Sequence, residues 1–552
     1  MVSDGHPDLP VLVVGAGPSG LVLAAELIRH GTTCRIIDKA EGPTPLSKAT
    51  TVQARTMEML DDMGIVDEVM AVGSQSHGVN VYSSTHRLLH VSYDDIESPY
   101  PFLLNIPQST LEHVLGDHAS SLGLQVDWKT ELVNFSQDEN GVVATLRHAD
   151  GHEETVRAAW VVGCDGAHSV VRHTLGITFA GKSYTQWFGL ADVKLHWSLP
   201  HDELHGFVHP TGLFFAIPLP GDERFRVVME SDVPPVDRDL VLGDFQAALD
   251  QRGPGDATLS DPGWMSPFKV NARRAERYRV GRVFIAGDAA HIHSPTGGLG
   301  LNTGMQDGYD LAWKLALVIH GLADQSLLDS YEAERIPVAD GVLRLAAQLT
   351  TLLTLRDPVS QQLRNHLLPV LGGLNAVQHR IAVQDAQLSI TYRDSPIVGE
   401  YHHERFGHNR FAGGPRAGDR APDVASLLTP DGVTVRLHDV LRGIHHTLIL
   451  FGGPRPDAAT WQQLASIVRV VQRRQGETMR AYIVVDGSDI PDEVSESGAV
   501  LRDPAGAAHH RYQADIPVLY VVRPDGYIGF RSRPADQAAL DVHLARIFDP
   551  GM

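Results

Sequence analysis

Cysteine is nearly absent from this chain of 552 residues; the two present are Cys34 and Cys164. Both sit in apolar, strand-like runs and are expected to be buried free thiols, which excludes a disulfide framework or a cysteine-ligated metal. No uninterrupted apolar run reaches the roughly 18 residues of a membrane-crossing helix, so no membrane is expected as a partner. The opening MVSDGHPDLP has neither the basic stretch nor the apolar core of a secretory signal, and a cytoplasmic location is the expectation. Positive charge is scarce as well. The 46 Lys and Arg face 67 Asp and Glu, a net charge of −21. Such a surface repels nucleic acid and anionic lipid, so no nucleic acid is expected as a partner. The 29 histidines show no HExxH or Cys/His spacing. They read mostly as surface residues, and no metal is expected.

The chain does have apolar material, 43% of its residues, enough for a large core and for two to four domains. The first motif follows at once. VLVV at 11–14 is a short apolar strand. Gly15-Ala16-Gly17-Pro18-Ser19-Gly20 comes next, then LVLAAELIRHG with apolar residues at helical spacing, then the strand CRIID ending at Asp38. This is the order of a dinucleotide-binding βαβ unit. Gly15 permits the tight turn, Gly17 lets a pyrophosphate reach the backbone, and Gly20 lets helix and strand pack closely. The helix N-terminus offers free N–H groups to phosphate, and Asp38 is placed for ribose hydroxyls. The motif alone does not say which dinucleotide binds.

A further signature lies far along the chain, GRVFIAGDAAHIHSPTGGLGLNTGMQD at 281–307. RVFIAG reads as a strand with Asp288 at its carboxyl end, where open α/β sheets bind ligands, and is positioned to accept hydrogen bonds from polyol hydroxyls. Pro295 to Gly304 reads as a glycine-rich loop leading into the helix QDGYDLAWKLALVIHG; its amides are free to face an electron-rich ring. Between the two signatures, Gly163-Cys164-Asp165-Gly166-Ala167-His168-Ser169-Val170-Val171-Arg172 follows the apolar AAWVV. An Asp-Gly pair is by itself a turn; beside a nucleotide sheet it also brings Asp165 and Arg172 toward cofactor groups.

GAGPSG, VGCDGAHSVVR and GDAAHIHSPTGGLGLN, in this order, resemble the three fingerprints of the single-component FAD-dependent aromatic hydroxylases (class A flavoprotein monooxygenases). The polyketide-tailoring and phenol-hydroxylase-like branch fits best. SKATTVQARTMEML resembles that branch's stretch after the second strand, with Arg55 and Glu58 in matching places and Lys48 where an arginine is common. IPQSTLEHVL places Gln108 at the family's flavin-side glutamine, and YEAERIPVAD at 331–340 is also similar.

The resemblance implies an α/β architecture: a Rossmann-like FAD-binding domain (1–180 and 275–345), an antiparallel-sheet substrate domain (181–274, with part of 75–110), connecting helices and linker (346–410) and a C-terminal thioredoxin-like domain (411–552). It implies FAD held by Gly15, Gly17, Pro18, Ser19, Gly20, Asp38, Lys39, Arg55, Gln108, Asp165, Asp288, Pro295, Gly298, Gly300, Leu301 and Asn302. NADPH or NADH is the implied transient co-substrate, since no second GxGxxG follows a strand. The implied reaction is hydroxylation of a phenolic polycyclic, polyketide-type aromatic with O2 through a flavin hydroperoxide. Such a species needs a dry cavity. The loop amides near His291–Asn302 are placed to stabilise negative charge on the reduced ring. His293 and Pro295 are the candidate catalytic residues; His291 and His293, both close to the expected ring, each also read as packing or capping histidines.

Residues 181–274 alternate apolar and polar in WFGLADVKL, GFVHPTGLFFAIPL and RFRVVME, the pattern of an antiparallel sheet. In the family such a sheet lines the substrate cavity, and Trp187, Phe207, Phe214 and Phe215 are the candidate substrate contacts, each also readable as core. Residues 340–385 are apolar at helical spacing, and one face is available for a subunit contact, so a homodimer is a possible partnership. After the linker AGGPRAGDRAPDV, strands and helices follow in a β-α-β-β-β-α pattern that resembles a thioredoxin fold. It has no CxxC; Gly452-Gly453-Pro454 stands in its place, which excludes thiol–disulfide exchange and leaves a structural role. Pro517 reads either as cis or as an ordinary strand-start proline. Baeyer–Villiger oxygen insertion and a non-oxygenating FAD-binding protein are the alternatives. A flavin halogenase needs Trp-x-Trp-x-Ile-Pro where this chain has FFAIPL.

Overall fold

The computed structural model describes residues 9–548 apart from 46, 48, 232–238, 295–296, 356, 403–412, 488–489 and 496–499. By compactness the chain divides into two units. One comprises Met1–Ile28, Thr33–Gly308 and Ile336–Leu388, the other Arg29–Thr32, Tyr309–Arg335 and Ser389–Met552. Residues 309–335, assigned from the sequence to the FAD-binding domain, group with the C-terminal residues.

The first unit carries β1 (Leu9–Val14), α1 (Pro18–Arg29), β2 (Cys34–Ile37), β3 (Thr51–Val52), α2 (Ala54–Asp62), β4 (Gly78–Ser83), β5 (His86–Ser92), α3 (Gln108–Ser121) and β6 (Glu153–Gly163). It continues with β7 (Phe179–His196), β8 (Glu203–His209), β9 (Gly212–Pro218), β10 (Arg224–Ser231), α4 (Leu242–Arg252), β11 (Thr258–Ala275), β12 (Val283–Ile285) and α5 (Leu299–Ile319), whose first half belongs here. The later helices are α6 (Asp329–Leu353) and α7 (Asn375–Asp385).

β12, β6, β1 and β2 lie side by side and parallel. Val11, Leu12 and Val13 are fully buried. A parallel strand covered on both faces reads as an unbroken apolar run, which is why VLVV lacks alternation. Cys34 lies in β2 and Cys164 directly after β6, and both are free thiols.

The second sheet has eight strands, in the order His291–Ile292, β11, β7, β10, β9, β8, β4, β5. It is antiparallel except that β8 runs parallel to β4. One face packs on α4 through Val193, Phe207, Phe214, Phe225, Phe245 and Leu249. The opposite face carries Phe188, Val208, Phe215 and Phe268, packed with Leu88 and Leu353.

The glycine-rich stretch differs from its expected form. It was read as loop to Gly304, but α5 begins at Leu299, so Gly300, Leu301 and Asn302 are helical. Thr303 Oγ1 donates to Leu299 O at 2.9 Å, within the first turn. Gly304 and Gly308 serve close packing here: a Cβ would stand 2.6 Å from Ser19 Oγ and 2.7 Å from Ser19 O, respectively. Tertiary packing overrides the poor helix propensity of glycine.

The segment Gln325–Leu353 is long and apolar enough to cross a membrane by length and mean hydropathy of 1.2, although no unbroken apolar run shows it in the sequence. Its charges are matched by protein groups. Lys314 Nζ meets Glu334 Oε2 at 2.6 Å, Arg335 Nη1 donates to Tyr392 OH at 2.8 Å, and Arg274 Nε donates to Asp340 Oδ1 at 2.7 Å. Of these, Glu334 and Arg335 are buried with protein partners.

The second unit contains β13 (His446–Phe451), α8 (Ala458–Gln475), β14 (Met479–Asp486), β15 (Val518–Val522), β16 (Ile528–Arg533) and α9 (Gln537–Leu544). The central order is β14, β13, β15, β16; the first pair is parallel and the other two antiparallel. Val500–Asp503 adds a strand beside β14 that the β-α-β-β-β-α reading lacks. The Gly452 position lies under Trp461, whose ring is 2.4 Å from where a Cβ would stand. Pro517 directly precedes β15, and the cis peptide among the described residues is Arg533–Pro534.

This unit buries charge. Lys314 and Arg523 hold Asp310, Glu334 and Asp525 in one fully enclosed network, with Lys314 Nζ 2.7 Å from Asp310 Oδ2 and Arg523 Nη1 2.6 Å from Glu334 Oε1. Burial pushes the Asp310 carboxyl well up, while Arg523 and Lys314 hold Glu334 down against its own burial. Three carboxylates this close resemble a cation site, but two side-chain cations already pair with them.

Several histidines are buried rather than at the surface: His205, His291, His445, His446 and His543. His543 stacks on Phe530 with centroids 4.6 Å apart, and burial pushes both His446 and His543 down to about 3. In the unfolded chain each takes a proton near pH 6.5. Below that pH the unfolded state binds more protons than the folded one, so stability is present above pH 6.5 and is lost as pH falls toward 3. At pH 5 this amounts to roughly 2 kcal/mol per histidine. Denaturant unfolding at pH 7.5 and pH 5 is expected to show His543→Leu losing about that much less stability on acidification than the unmodified protein.

Candidate active site

The opening motif folds as its spacing requires. Gly15 N donates to Ile37 O at 2.8 Å and Cys164 N to Val14 O at 2.7 Å, which draws β2 and the end of β6 onto the turn. At Gly20 a Cβ would stand 1.9 Å from Gly15 O, and at Gly15 it would stand 2.4 Å from Cys164 O. No other residue type fits either place. Asp38 accepts from Ala16 N and Ala40 N, each at 2.8 Å, one on each carboxylate oxygen. A cleft of about 240 Å³ opens here, lined by Gly15, Gly17, Asp38, Lys39, Cys164 and Asp165 together with Thr130, Glu131 and Leu132. Those last three were not visible as site residues in the sequence, because they belong to no motif.

The third signature meets the first across Ser19. A Cβ at Gly287 would stand 2.4 Å from Ser19 Oγ, and one at Gly304 would stand 3.1 Å from the Gly287 Cα. The second signature is tied in by Arg172, which is 2% exposed. Its guanidinium donates to Ala289 O at 2.9 Å and Ala167 O at 2.8 Å, above the Phe179 ring. Three stretches separated by more than a hundred residues therefore share one place. Asp288 is exposed in the turn Gly287–Ala289 at the tip of β12. Asp307 braces that turn, accepting from Gly287 N at 3.0 Å and meeting His291 Nε2 at 2.7 Å. His291 is thus a packing residue.

His293 donates from Nδ1 to Ser294 O at 2.8 Å. Its Nε2 is buried, has no partner among the described residues and lies 3.0 Å from where a Gly300 Cβ would stand. Burial pushes His293 down to about 4, so it is a neutral acceptor near pH 7. Asn302 is fully buried and spent on the protein: Gln53 N donates to Oδ1 at 2.8 Å, and Nδ2 donates to Thr51 O and Gly298 O. It clamps the start of α5 to β3. Gln53 Nε2 donates to Gly297 O at 3.0 Å, a contact the sequence did not suggest. Pro295 lies outside the described residues, as does Lys48.

Arg55 is 7% exposed and pairs with Glu58 at 3.1 Å. Gln108 donates to Glu112 Oε1 at 2.8 Å and accepts from Ala49 N at 3.3 Å. Neither these two nor Asp288 line the cleft around Asp38. Among the aromatic candidates, Phe207 and Phe214 are 1% and 0% exposed inside the cluster under α4. They leave no ring face for a ligand and are core, because alternation placed them on the α4 side of the sheet. Phe215 points to the opposite face, and Trp187 is half-buried beside Lys269.

Comparison with known proteins decides the class. Residues 8–346 match the family model "FAD binding domain" and residues 414–551 match "Aromatic-ring hydroxylase, C-terminal". The 6-methylpretetramide 4-monooxygenase of Streptomyces rimosus is 32% identical over 97% of this chain and 92% of its own. Pentachlorophenol 4-monooxygenase of Sphingobium chlorophenolicum is 34% identical over 84% of this chain and 83% of its own. The chain belongs to the FAD-dependent aromatic-ring hydroxylases. Among solved structures, aklavinone-11 hydroxylase in complex with FAD and aklavinone superposes with a TM-score of 0.78 at 28% identity, covering 99% of both chains. Anhydrotetracycline hydroxylase of Streptomyces rimosus gives 0.76 at 31% identity, over 98% of this chain and 99% of its own.

The residues present fit the family's cofactor. Gly17 has nothing within 4 Å of where a Cβ would stand, so its backbone is open to a pyrophosphate. Asp165 Oδ1 is buried with no partner among the described residues, its carboxyl raised by that burial, and it suits a hydroxyl donor. The first-turn amides of α1 have no intrahelical acceptor. Two substitutions separate packing from binding. Gly20→Ala is expected to lower stability by about 3 kcal/mol through overpacking. Gly17→Ala is expected to melt like the unmodified protein when both are stripped of flavin, yet to lose bound flavin, measured by thermal unfolding and by flavin absorbance of the purified protein.

Proposed function

We propose that this monooxygenase hydroxylates a phenolic, polycyclic aromatic small molecule of polyketide type, using NAD(P)H and O2. The observation that carries the reading is the meeting of three signatures around Ser19, Gly287 and Arg172. Relatives whose names give a polycyclic substrate match nearly the full length, over 95% and 97% of the chain.

Bound FAD supplies hydride acceptance from NAD(P)H and the activation of O2 for insertion into the ring. The chain's own residues do the rest. Gly15, Gly17, Pro18, Ser19, Gly20 and the amides of α1 hold the pyrophosphate, and Asp38 and Lys39 take the ribose side. Asp165, Arg55, Gln108 and Asp288 complete the grip. Gly298, Gly300, Leu301 and Asn302 set the backbone that faces the ring. His293, neutral and with Nε2 free to accept, orients a donor near that ring. The sheet face bearing Phe215 excludes water from the substrate side. The C-terminal unit belongs to this reading as a thioredoxin-like domain without redox chemistry. A cytoplasmic homodimer is part of the same proposal.

Purified holoprotein with a hydroxylated polycyclic aromatic is expected to consume NAD(P)H and O2 and return a product with one added oxygen as a ring hydroxyl. An ester product would instead establish Baeyer–Villiger insertion, and no stimulated oxygen uptake would defeat the proposal. His293→Ala is expected to leave flavin reduction intact and abolish hydroxylation; full turnover in that variant removes His293 from the mechanism.

A further inference from the structure

A second polar pair is buried behind the glycine turn, outside every family motif. Tyr93 follows β5 and is 1% exposed; its hydroxyl donates to Asp385 Oδ2 at 2.5 Å. Asp385 ends α7. Around them lie Val91, Ile96, Leu103, Leu204, Ala382 and Ala386, an apolar setting in which an unpaired carboxylate is costly. The pair is therefore unlike the surface ion pairs that contribute little.

Its direction is informative. Oδ2 is spent on Tyr93. Oδ1 has no hydrogen-bond partner among the described residues and lies 3.5 Å from where a Cβ of Gly297 would stand. Ala382 and Ala386 on the same helix are fully buried, while Asp385 keeps partial exposure. The open oxygen thus faces the turn that leads into α5. Gln53 reaches the same turn, donating to Gly297 O, and its own Oε1 is buried without a partner among the described residues. Ile217 also packs on this cluster; two residues past Phe215, it shares the sheet face opposite α4.

We propose that Asp385 is a catalytic residue that accepts the hydrogen bond, and then the proton, of the substrate's phenol hydroxyl, with Tyr93 as the positioning residue that fixes its carboxylate. This rests on the hydroxylase reading given above. In the step, the substrate O–H bond breaks and its proton goes to Asp385 Oδ1. The electron pair stays on the substrate oxygen, enriching the ring for oxygenation; no electron changes hands. Burial pushes the Asp385 carboxyl up to about 6 although the Tyr93 hydroxyl holds it down, and no other described titratable group bears on it. A carboxylate of that strength is ionised yet basic near neutral pH, as proton transfer requires. The substrate class this specifies is an aromatic with a free, unmethylated hydroxyl.

The test compares 2-naphthol with 2-methoxynaphthalene on the oxidised, flavin-loaded protein without an electron donor, so binding is read without turnover. The unmodified protein is expected to bind the phenol about tenfold more tightly than the ether, and to lose that preference as pH falls through 6. Asp385→Asn is expected to erase the preference and its pH dependence while binding the ether unchanged. Tyr93→Phe, which removes a single oxygen, is expected to reduce the preference and keep the fold if Asp385→Asn does not. In turnover, Asp385→Asn is expected to lower kcat more than it raises KM. An equal preference for phenol in Asp385→Asn or in Tyr93→Phe overturns the assignment, as does a protein that is phenol-stimulated in NAD(P)H oxidation yet indifferent to the hydroxyl. A protein that holds no flavin and gains no NAD(P)H oxidation from any phenol overturns the hydroxylase reading itself.

Discussion

The first unit depends on backbones approaching closer than any side chain allows. At Gly20 the carbonyl of Gly15 occupies the space of a Cβ, and at Gly287 the hydroxyl of Ser19 does so. These contacts lock α1 over β1 and seat the tip of β12 against the start of α1. The phosphate-binding end of the helix and the strand tip are thereby held at one site. Packing this tight tolerates no added methyl, so the same glycines set both the stability of the unit and the shape of its cleft.

Polar groups then hold the framework around that contact. Arg172 ties the second signature to the third, Asp307 ties the strand-tip turn to α5, and Asn302 ties the first turn of α5 to β3. Each is buried and makes more than one hydrogen bond, so each resists displacement. The atoms left without partners among the described residues are the informative ones. Asp165 Oδ1, His293 Nε2 and Gln53 Oε1 all lie on segments that carry the signatures or clamp them. Native proteins rarely leave buried polar atoms unsatisfied.

The eight-stranded sheet divides its labour by alternation. The face toward α4 is dry core, with Phe207 and Phe214 sealed in it. The opposite face, with Phe215, packs with Leu88 and Leu353. The second unit shows a different economy. Its buried Lys314 and Arg523 pair with three carboxylates inside an otherwise apolar region. Removing one partner from such a network leaves charge stranded in low dielectric, which makes the set interdependent.

Much of the site was legible in order and spacing alone. GAGPSG with its strand, helix and Asp38 specified the turn, because only glycine suits those backbone contacts and the chemistry is local. The parallel core strands were legible as unbroken apolar runs. That part of 75–110 joins the second sheet was implied by the family resemblance; the parallel β8–β4 contact and the early start of α5 were decided by tertiary packing. So was the fate of four similar aromatics, since a residue's face depends on register that single-sequence alternation leaves open. The Tyr93–Asp385 pair had no sequence signal at all. Its partners stand 292 positions apart, and only the folded chain brings a phenol and a carboxylate together in an apolar pocket where their chemistry changes.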